Sequence, residues 1–131
     1  MSRTSRSLRS DLARVRGLGS AHEGVAHWWA QRVTAVALVP LSIWFVASII
    51  GLAGADHAVV VEWIRSPLPA ILLVMLFAVA LRHAQLGVQV VIEDYLHDEG
   101  VKIGALLVVK AILLLIGLAS IFAVLKLASR G

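Results

Sequence analysis

Three long apolar stretches dominate the chain, over residues 28–52, 68–92 and 101–127, with polar segments before, between and after them. Each is long enough for the ~20 residues that an α-helix needs to cross a hydrocarbon core, so three transmembrane helices are predicted. Aromatic residues mark the edges. Trp28 and Trp29 open the first stretch and Trp63 stands just ahead of the second, positions at which indole rings meet lipid headgroups. Pro40 falls inside the first stretch, where it removes the hydrogen bond to the carbonyl of Val36 and predicts a bend. A polar link over residues 54–67 carries Asp56, His57, Glu62 and Arg65, and a short acidic loop is expected over residues 93–100.

This pattern predicts an all-α integral membrane protein whose three transmembrane helices form part of a heteromeric helix bundle. Three helices alone leave little room for an enclosed site. The expected organisation is a polar, Arg-rich N-terminal tail over residues 1–27 and a three-span anchor domain over residues 28–127. Composition sharpens the picture: 60% of the 131 residues are hydrophobic and only 15% are charged, unlike an ordinary soluble domain. Cysteine is absent, which excludes a disulfide frame, a thiolate metal site, a cysteine nucleophile and an iron–sulfur cluster held by this chain. No internal repeat, phosphate loop or catalytic triad is present.

The net charge of +4 comes largely from Arg3, Arg6, Arg9, Arg14 and Arg16, opposed in the tail only by Asp11 and Glu23. An Arg- and Ser-rich opening resembles an organellar transit peptide in composition. It also serves as an inner-side tail under the positive-inside rule, and it speaks to membrane orientation rather than to nucleic acid. With the N-terminus inside, the tail and Lys102 place six Lys and Arg on the inner side, against three outside at Arg65, Lys126 and Arg130. The acidic loop then shares the inner side with the N-terminus.

Chemistry concentrates at the second stretch. His83 lies within it, and an ionisable side chain in a membrane span is a functional-site candidate by default. Two roles suit it: a hydrogen bond to a neighbouring helix, or axial ligation of haem iron. Gly87, one turn on, leaves space for a flat macrocycle or for close helix packing. Asp94 returns to within about 20° of the face of His83, about 16 Å further along the axis. Tyr95 follows as a phenolic donor or an aromatic-belt residue. Arg32 would sit just below the inner interface, either snorkelling to headgroups or offering a fork of donors to a carboxylate or carbonyl oxygen. Arg82 points about 100° away from His83 and could snorkel, pair with a partner's carboxylate or serve a propionate. Lys110 reads as a snorkelling lysine, and His22, His27, His57 and His97 read as solvated or interfacial.

Three features together carry a family resemblance. They are Gln31-Arg32-Val33-Thr34-Ala35 at the start of the first span, the three-span layout, and His83-x-x-x-Gly87 followed by Asp94-Tyr95. Over residues 18–127 the chain resembles the hydrophobic membrane-anchor subunits of succinate dehydrogenase (respiratory complex II), in the form of the smaller, D-type anchor. The His-Arg-x-Thr-Gly opening of the larger anchor is missing.

That resemblance implies a shared haem b with His83 as one axial ligand to the iron, the other coming from the larger cytochrome b anchor subunit. It implies a quinone-binding role for Tyr95 and Asp94, with ubiquinone as substrate, and a place for Arg32 near the haem propionates or the quinone pocket. An iron–sulfur subunit would deliver electrons and a flavoprotein subunit would oxidise succinate. No residue of this chain would touch the dicarboxylate, which leaves the activity of the isolated chain open and makes it a subunit of an enzyme, succinate:quinone oxidoreductase. The expected setting is the bacterial inner membrane with a cytoplasmic N-terminus, the mitochondrial inner membrane being the alternative. Two rival readings are an anchor of a quinol:fumarate reductase and a haem-free structural adaptor.

Because the chain has no cysteine, topology can be read from single-cysteine variants. Ser5→Cys and Ala58→Cys should react with an impermeant thiol reagent from opposite sides of the membrane; labelling of both from one side would contradict the three-span arrangement.

Overall fold

The computed structural model describes residues 19–130, with side chains from Glu23 onward. Arg3, Arg6, Arg9, Arg14, Arg16 and the His22 side chain lie outside the described residues. Four helices and no strands occur among the described residues: α1 (Gly19–Gly51), α2 (His57–Arg65), α3 (Pro67–Tyr95) and α4 (Glu99–Ser129). Helices α1, α3 and α4 are each long and apolar enough to cross a membrane. At 33, 29 and 31 residues they measure about 50, 44 and 46 Å, so each outruns a hydrocarbon core of about 30 Å.

The helices begin and end where local chemistry dictates. Helix α1 runs unbroken through Pro40, which is exposed on its surface. It also starts at Gly19, well ahead of its apolar stretch. Beyond its last turn the chain reverses through Gly54, whose φ of +80° lies in the left-handed region that glycine enters without a Cβ penalty. The polar link is not all loop, because residues 57–65 form α2. Val60, Trp63 and Ile64 recur there at helical spacing, a pattern too short to stand out in the sequence. Ser66 precedes a proline and is extended, with ψ at 136°, which stops α2; Pro67 then opens α3, where a missing N–H costs nothing.

The acidic loop is shorter than expected. Glu93, Asp94 and Tyr95 are helical, and only Leu96, His97 and Asp98 separate α3 from α4. The stop comes late because the cap for the next helix is Asp98, whose carboxylate accepts from the Val101 N–H at 2.9 Å. Such a cap contributes about 0.5–2 kcal/mol. Lys102 pairs with Glu99 one turn in, at 3.1 Å.

Helix α3 is the middle of the arrangement. It packs against α1 on one side and α4 on the other, and α2 lies against α3 and α4, whereas α1 and α4 make no close backbone contact. The enclosed residues follow from this: Leu41, Ala70, Leu73, Leu76, Leu86 and Val124 are the buried hydrophobics, four of them on α3. Around Ala70, Leu73 and Val124 gather Trp44, Phe45, Trp63, Ile64 and Phe77, with Trp44 of α1 and Trp63 of α2 stacked at 5.8 Å. Trp63, expected at a lipid interface, is thus partly covered by α1. Two hydroxyls within the spans are satisfied in their own helices: Ser48 donates to the Trp44 carbonyl and Ser120 to the Ile116 carbonyl, each at 2.8 Å.

Gly117 of α4 is buried in the seam between α3 and α4. A Cβ there would lie 2.9 Å from Leu81 Cδ1, inside contact distance. Gly117→Ile should therefore cost about 1–3 kcal/mol of overpacking, read as a lower melting temperature and lower membrane abundance. Gly104→Ala, at a position with nothing within 4 Å, should lower neither.

Candidate functional site on the α1–α3 face

The residues that face each other across α1 and α3 form a polar seam inside two apolar helices. Along α1, His27, Gln31 and Thr34 recur four and three residues apart and so share one face. On the antiparallel α3, His83 and Gly87 are one turn apart. The seam is joined by a hydrogen bond between Thr34 Oγ1 and His83 Nδ1, 3.0 Å apart. One turn further along, Gln31 approaches Gly87: a Cβ added to the glycine would meet Gln31 Nε2 at an ordinary contact distance of 3.7 Å. Gly87 therefore lies in the contact between α1 and α3.

His83 itself is half-buried. Its Nδ1 is engaged, while Nε2 has no hydrogen bond among the described residues and is not one of the enclosed, unpartnered atoms, so it is open to approach from outside the chain. Among the described residues no three His, Asp or Glu side chains come together as a metal site. A metal held by His83 thus needs its remaining ligands from another molecule.

Two polar atoms on the same face of α1 are enclosed without a partner: His27 Nε2 and Gln31 Oε1. Buried polar groups are nearly always hydrogen-bonded, so orphans of this kind call for a further molecule or ordered water. His27 differs here from the solvated or interfacial position expected of it. The reason is the early start of α1, which puts His27 within the helix on the side that meets α3. Gln31, Thr34 and His27 carried a sequence signal, a polar stripe at helical period on an apolar helix, that hydropathy alone passes over.

The remaining site candidates stand apart from the seam. Arg32 is exposed, and its guanidinium carbon lies 5.5 Å from the centroid of the Trp28 ring, a cation–π contact, with Trp29 edge-on to Trp28 at 5.2 Å. Arg32 forms no ion pair with Asp94 among the described residues. Asp94 and Tyr95 close α3, both exposed, Tyr95 at 78%. The twelve-residue step from His83 to Tyr95 is about 18 Å of helix. Nearby, Gln89 donates to Glu93 at 2.8 Å. Arg82 leans on Gln85 at 3.2 Å and, with Lys110, faces an open groove of about 350 Å³ between α3 and α4, away from the seam.

These features define the class: a three-span helical membrane protein, with a half-buried imidazole within its second span and an exposed Asp-Tyr pair at the end of the same helix. The Succinate dehydrogenase/Fumarate reductase transmembrane subunit family matches residues 6–119 of this chain. Among curated proteins, a succinate dehydrogenase hydrophobic membrane anchor subunit of Rickettsia bellii is 33% identical over 116 residues, which is 88% of this chain and 93% of the relative. One from Paracoccus denitrificans is 35% identical over 79 residues, 60% of this chain and 61% of the relative. A succinate dehydrogenase membrane anchor subunit of Reclinomonas americana is 25% identical over 92 residues, covering 68% and 77%. No solved structure matches the chain significantly. The chain belongs to the family of succinate dehydrogenase hydrophobic membrane anchor subunits.

Proposed function

We propose that this subunit, besides anchoring its complex, carries one axial ligand of a shared haem b and part of the site at which ubiquinone is reduced. The observation that carries the reading is the state of His83: its Nδ1 is held by Thr34 while Nε2 has no partner among the described residues and is not enclosed by them. A membrane imidazole that only packed would have no reason to leave a nitrogen open toward a partner. The donor set fits a b-type haem, since one imidazole is supplied here and a second belongs to the larger cytochrome b anchor subunit. When bound, the haem supplies one-electron chemistry at the depth of His83. Arg32, exposed and free of any carboxylate among the described residues, is the group proposed for a propionate or for the quinone pocket.

Tyr95 and Asp94 stand about 16–18 Å from His83 along α3, at the end where lipid and water are both within reach. A quinone enters from the lipid but takes up two electrons and two protons as it becomes a quinol, so it needs polar groups at such a boundary. The Tyr95 hydroxyl donates to one quinone carbonyl oxygen, and the Asp94 carboxylate beside it keeps the site polar and hydrated. The exposure of both in the single chain suits a pocket completed by the iron–sulfur subunit, which delivers electrons drawn from succinate by the flavoprotein subunit. The direction is succinate oxidation, in keeping with the succinate dehydrogenase names of the relatives. The membrane is the bacterial inner membrane, with the N-terminus and the Tyr95 end of α3 on the cytoplasmic side.

Replacing His83 by Leu should alter the haem spectrum and midpoint potential of the assembled complex. Unchanged values would remove His83 as ligand. Tyr95→Phe keeps the ring and deletes the donor. Losing one such bond costs about 0.5–1.5 kcal/mol, with more of the loss in turnover if the bond strengthens as charge develops on the quinone oxygen. Succinate:quinone activity should fall severalfold, with haem content and succinate oxidation by an artificial acceptor unchanged; wild-type quinone activity in the variant would make Tyr95 an interface residue only.

A further inference from the structure

Thr34 sits at the crossing point of α1 and α3, and its hydroxyl has three neighbours. It lies 2.7 Å from the Ala30 carbonyl oxygen, 3.1 Å from the Gln31 carbonyl oxygen and 3.0 Å from His83 Nδ1. A threonine hydroxyl has one proton to give and two lone pairs. Carbonyl oxygens only accept. Two oxygens 2.7 Å apart repel unless a proton stands between them, so the hydroxyl proton is committed to its own helix, chiefly to Ala30. Toward His83 the hydroxyl has only a lone pair left. The bond across the helices therefore runs from the imidazole to the threonine: Nδ1–H donates and Oγ1 accepts.

We propose that Thr34 is the positioning residue of His83, fixing the imidazole in the tautomer that bears its proton on Nδ1 and leaves the Nε2 lone pair free to bind iron. The inference rests on the reading of His83 as an axial ligand and adds the group that prepares it. A neutral imidazole with Nδ1 protonated has its second nitrogen bare, and the hydrogen bond made by one nitrogen decides what the other can do. Two consequences follow. The ring plane is set by a bond between two helices, so its orientation is determined before any ligand arrives. The Nδ1–H bond to an oxygen also raises the basicity of Nε2, which favours ferric over ferrous iron and holds the midpoint potential down.

The sequence alone gives no hint of this role, because threonine at a span's first turns is unremarkable. It is the approach of α1 to α3, with Gln31 against Gly87 one turn away, that brings Oγ1 to the imidazole. No other side chain among the described residues bonds His83.

The test compares Thr34→Val, which keeps the branched shape and loses the acceptor, with Thr34→Ser, which keeps it. Both are made in the complete complex, with His83→Leu alongside. Potentiometric titration of the haem, with the low-spin ferric resonance signal as a second readout, should show an upward shift of midpoint in Thr34→Val and a return to wild type in Thr34→Ser. Haem content relative to flavin should fall in Thr34→Val and recover in Thr34→Ser. A purely structural threonine would give Thr34→Val, Thr34→Ser and wild type the same midpoint, which would overturn the proposal. If His83→Leu alters the spectrum while Thr34→Val does not, the ligand reading stands and the role of Thr34 is lost; an unaltered His83→Leu spectrum sinks the ligand reading itself. Should Thr34→Val not assemble, Thr34→Ala takes its place. Loss of the whole complex in both, with Thr34→Ser normal, would make the hydroxyl a helix-joining group and overturn the proposal, whereas an assembled complex depleted of haem supports it.

Discussion

Helices surrounded by hydrocarbon gain little by burying apolar side chains against each other, since lipid tails are as apolar as leucine. What joins them is close fit and the few hydrogen bonds that cross between them. In this chain both are concentrated on α3. Leu81 seats against Gly117 of α4, Gly87 lies against Gln31 of α1, and His83 bonds Thr34 of α1. Because α1 and α4 do not touch closely, α3 is the only long helix that holds the other two together. The residue proposed to carry redox chemistry is thus one of the joints of the fold.

The outer faces have the opposite character. Ile43, Val46, Ile50, Leu107, Leu114, Leu115 and Phe122 all lie exposed on α1 and α4. A membrane supplies part of their cover. Membership of a family of complex subunits supplies a reason for the rest, as do the enclosed yet unpartnered His27 Nε2 and Gln31 Oε1 on the α1 side. Arg82 and Lys110 add to this on the α4 side, where they face a groove whose only other polar lining group is Gln85. A cation in a span is costly unless it pairs or reaches water. Polar demands therefore remain on both flanks of α3 after the chain has folded.

Much of the fold was legible in the sequence because hydropathy and length alone decide whether a helix spans a membrane. The details that were not legible share a cause: they depend on which residues end up opposite each other. Helix α2 was hidden because a nine-residue amphipathic helix differs little from a polar link until Trp63 finds Trp44 to stack on. The acidic loop shrank because Asp98, three residues past Tyr95, captured the cap of α4. At the site, His83 could be singled out from its chemistry, an imidazole in lipid. Thr34, Gln31 and His27 could not, since a polar stripe acquires meaning only when another helix is placed along it. Arg32 was expected near the level of Asp94 and Tyr95, and its nearest recorded partner is the ring of Trp28 on its own helix. That contact follows from local i,i+4 geometry, which the sequence contained but hydropathy does not weigh.

The connector of Leu96, His97 and Asp98 has a mechanical consequence. Four residues of chain, advancing at most about 3.6 Å each when fully extended, hold Tyr95 within about 14 Å of Glu99 whatever the side chains do. At this end α3 and α4 are leashed. At the other end they are held by packing alone, Ala70 and Leu73 against Val124, with α2 bearing on both through the side chains around Trp63. Any scissoring of the pair must therefore pivot about the Tyr95 end and open at the far side. Displacement grows with distance from a pivot, so Asp94 and Tyr95 occupy the quietest place on the helix, while the packing of Ala70 and Leu73 on Val124 takes the wider swing.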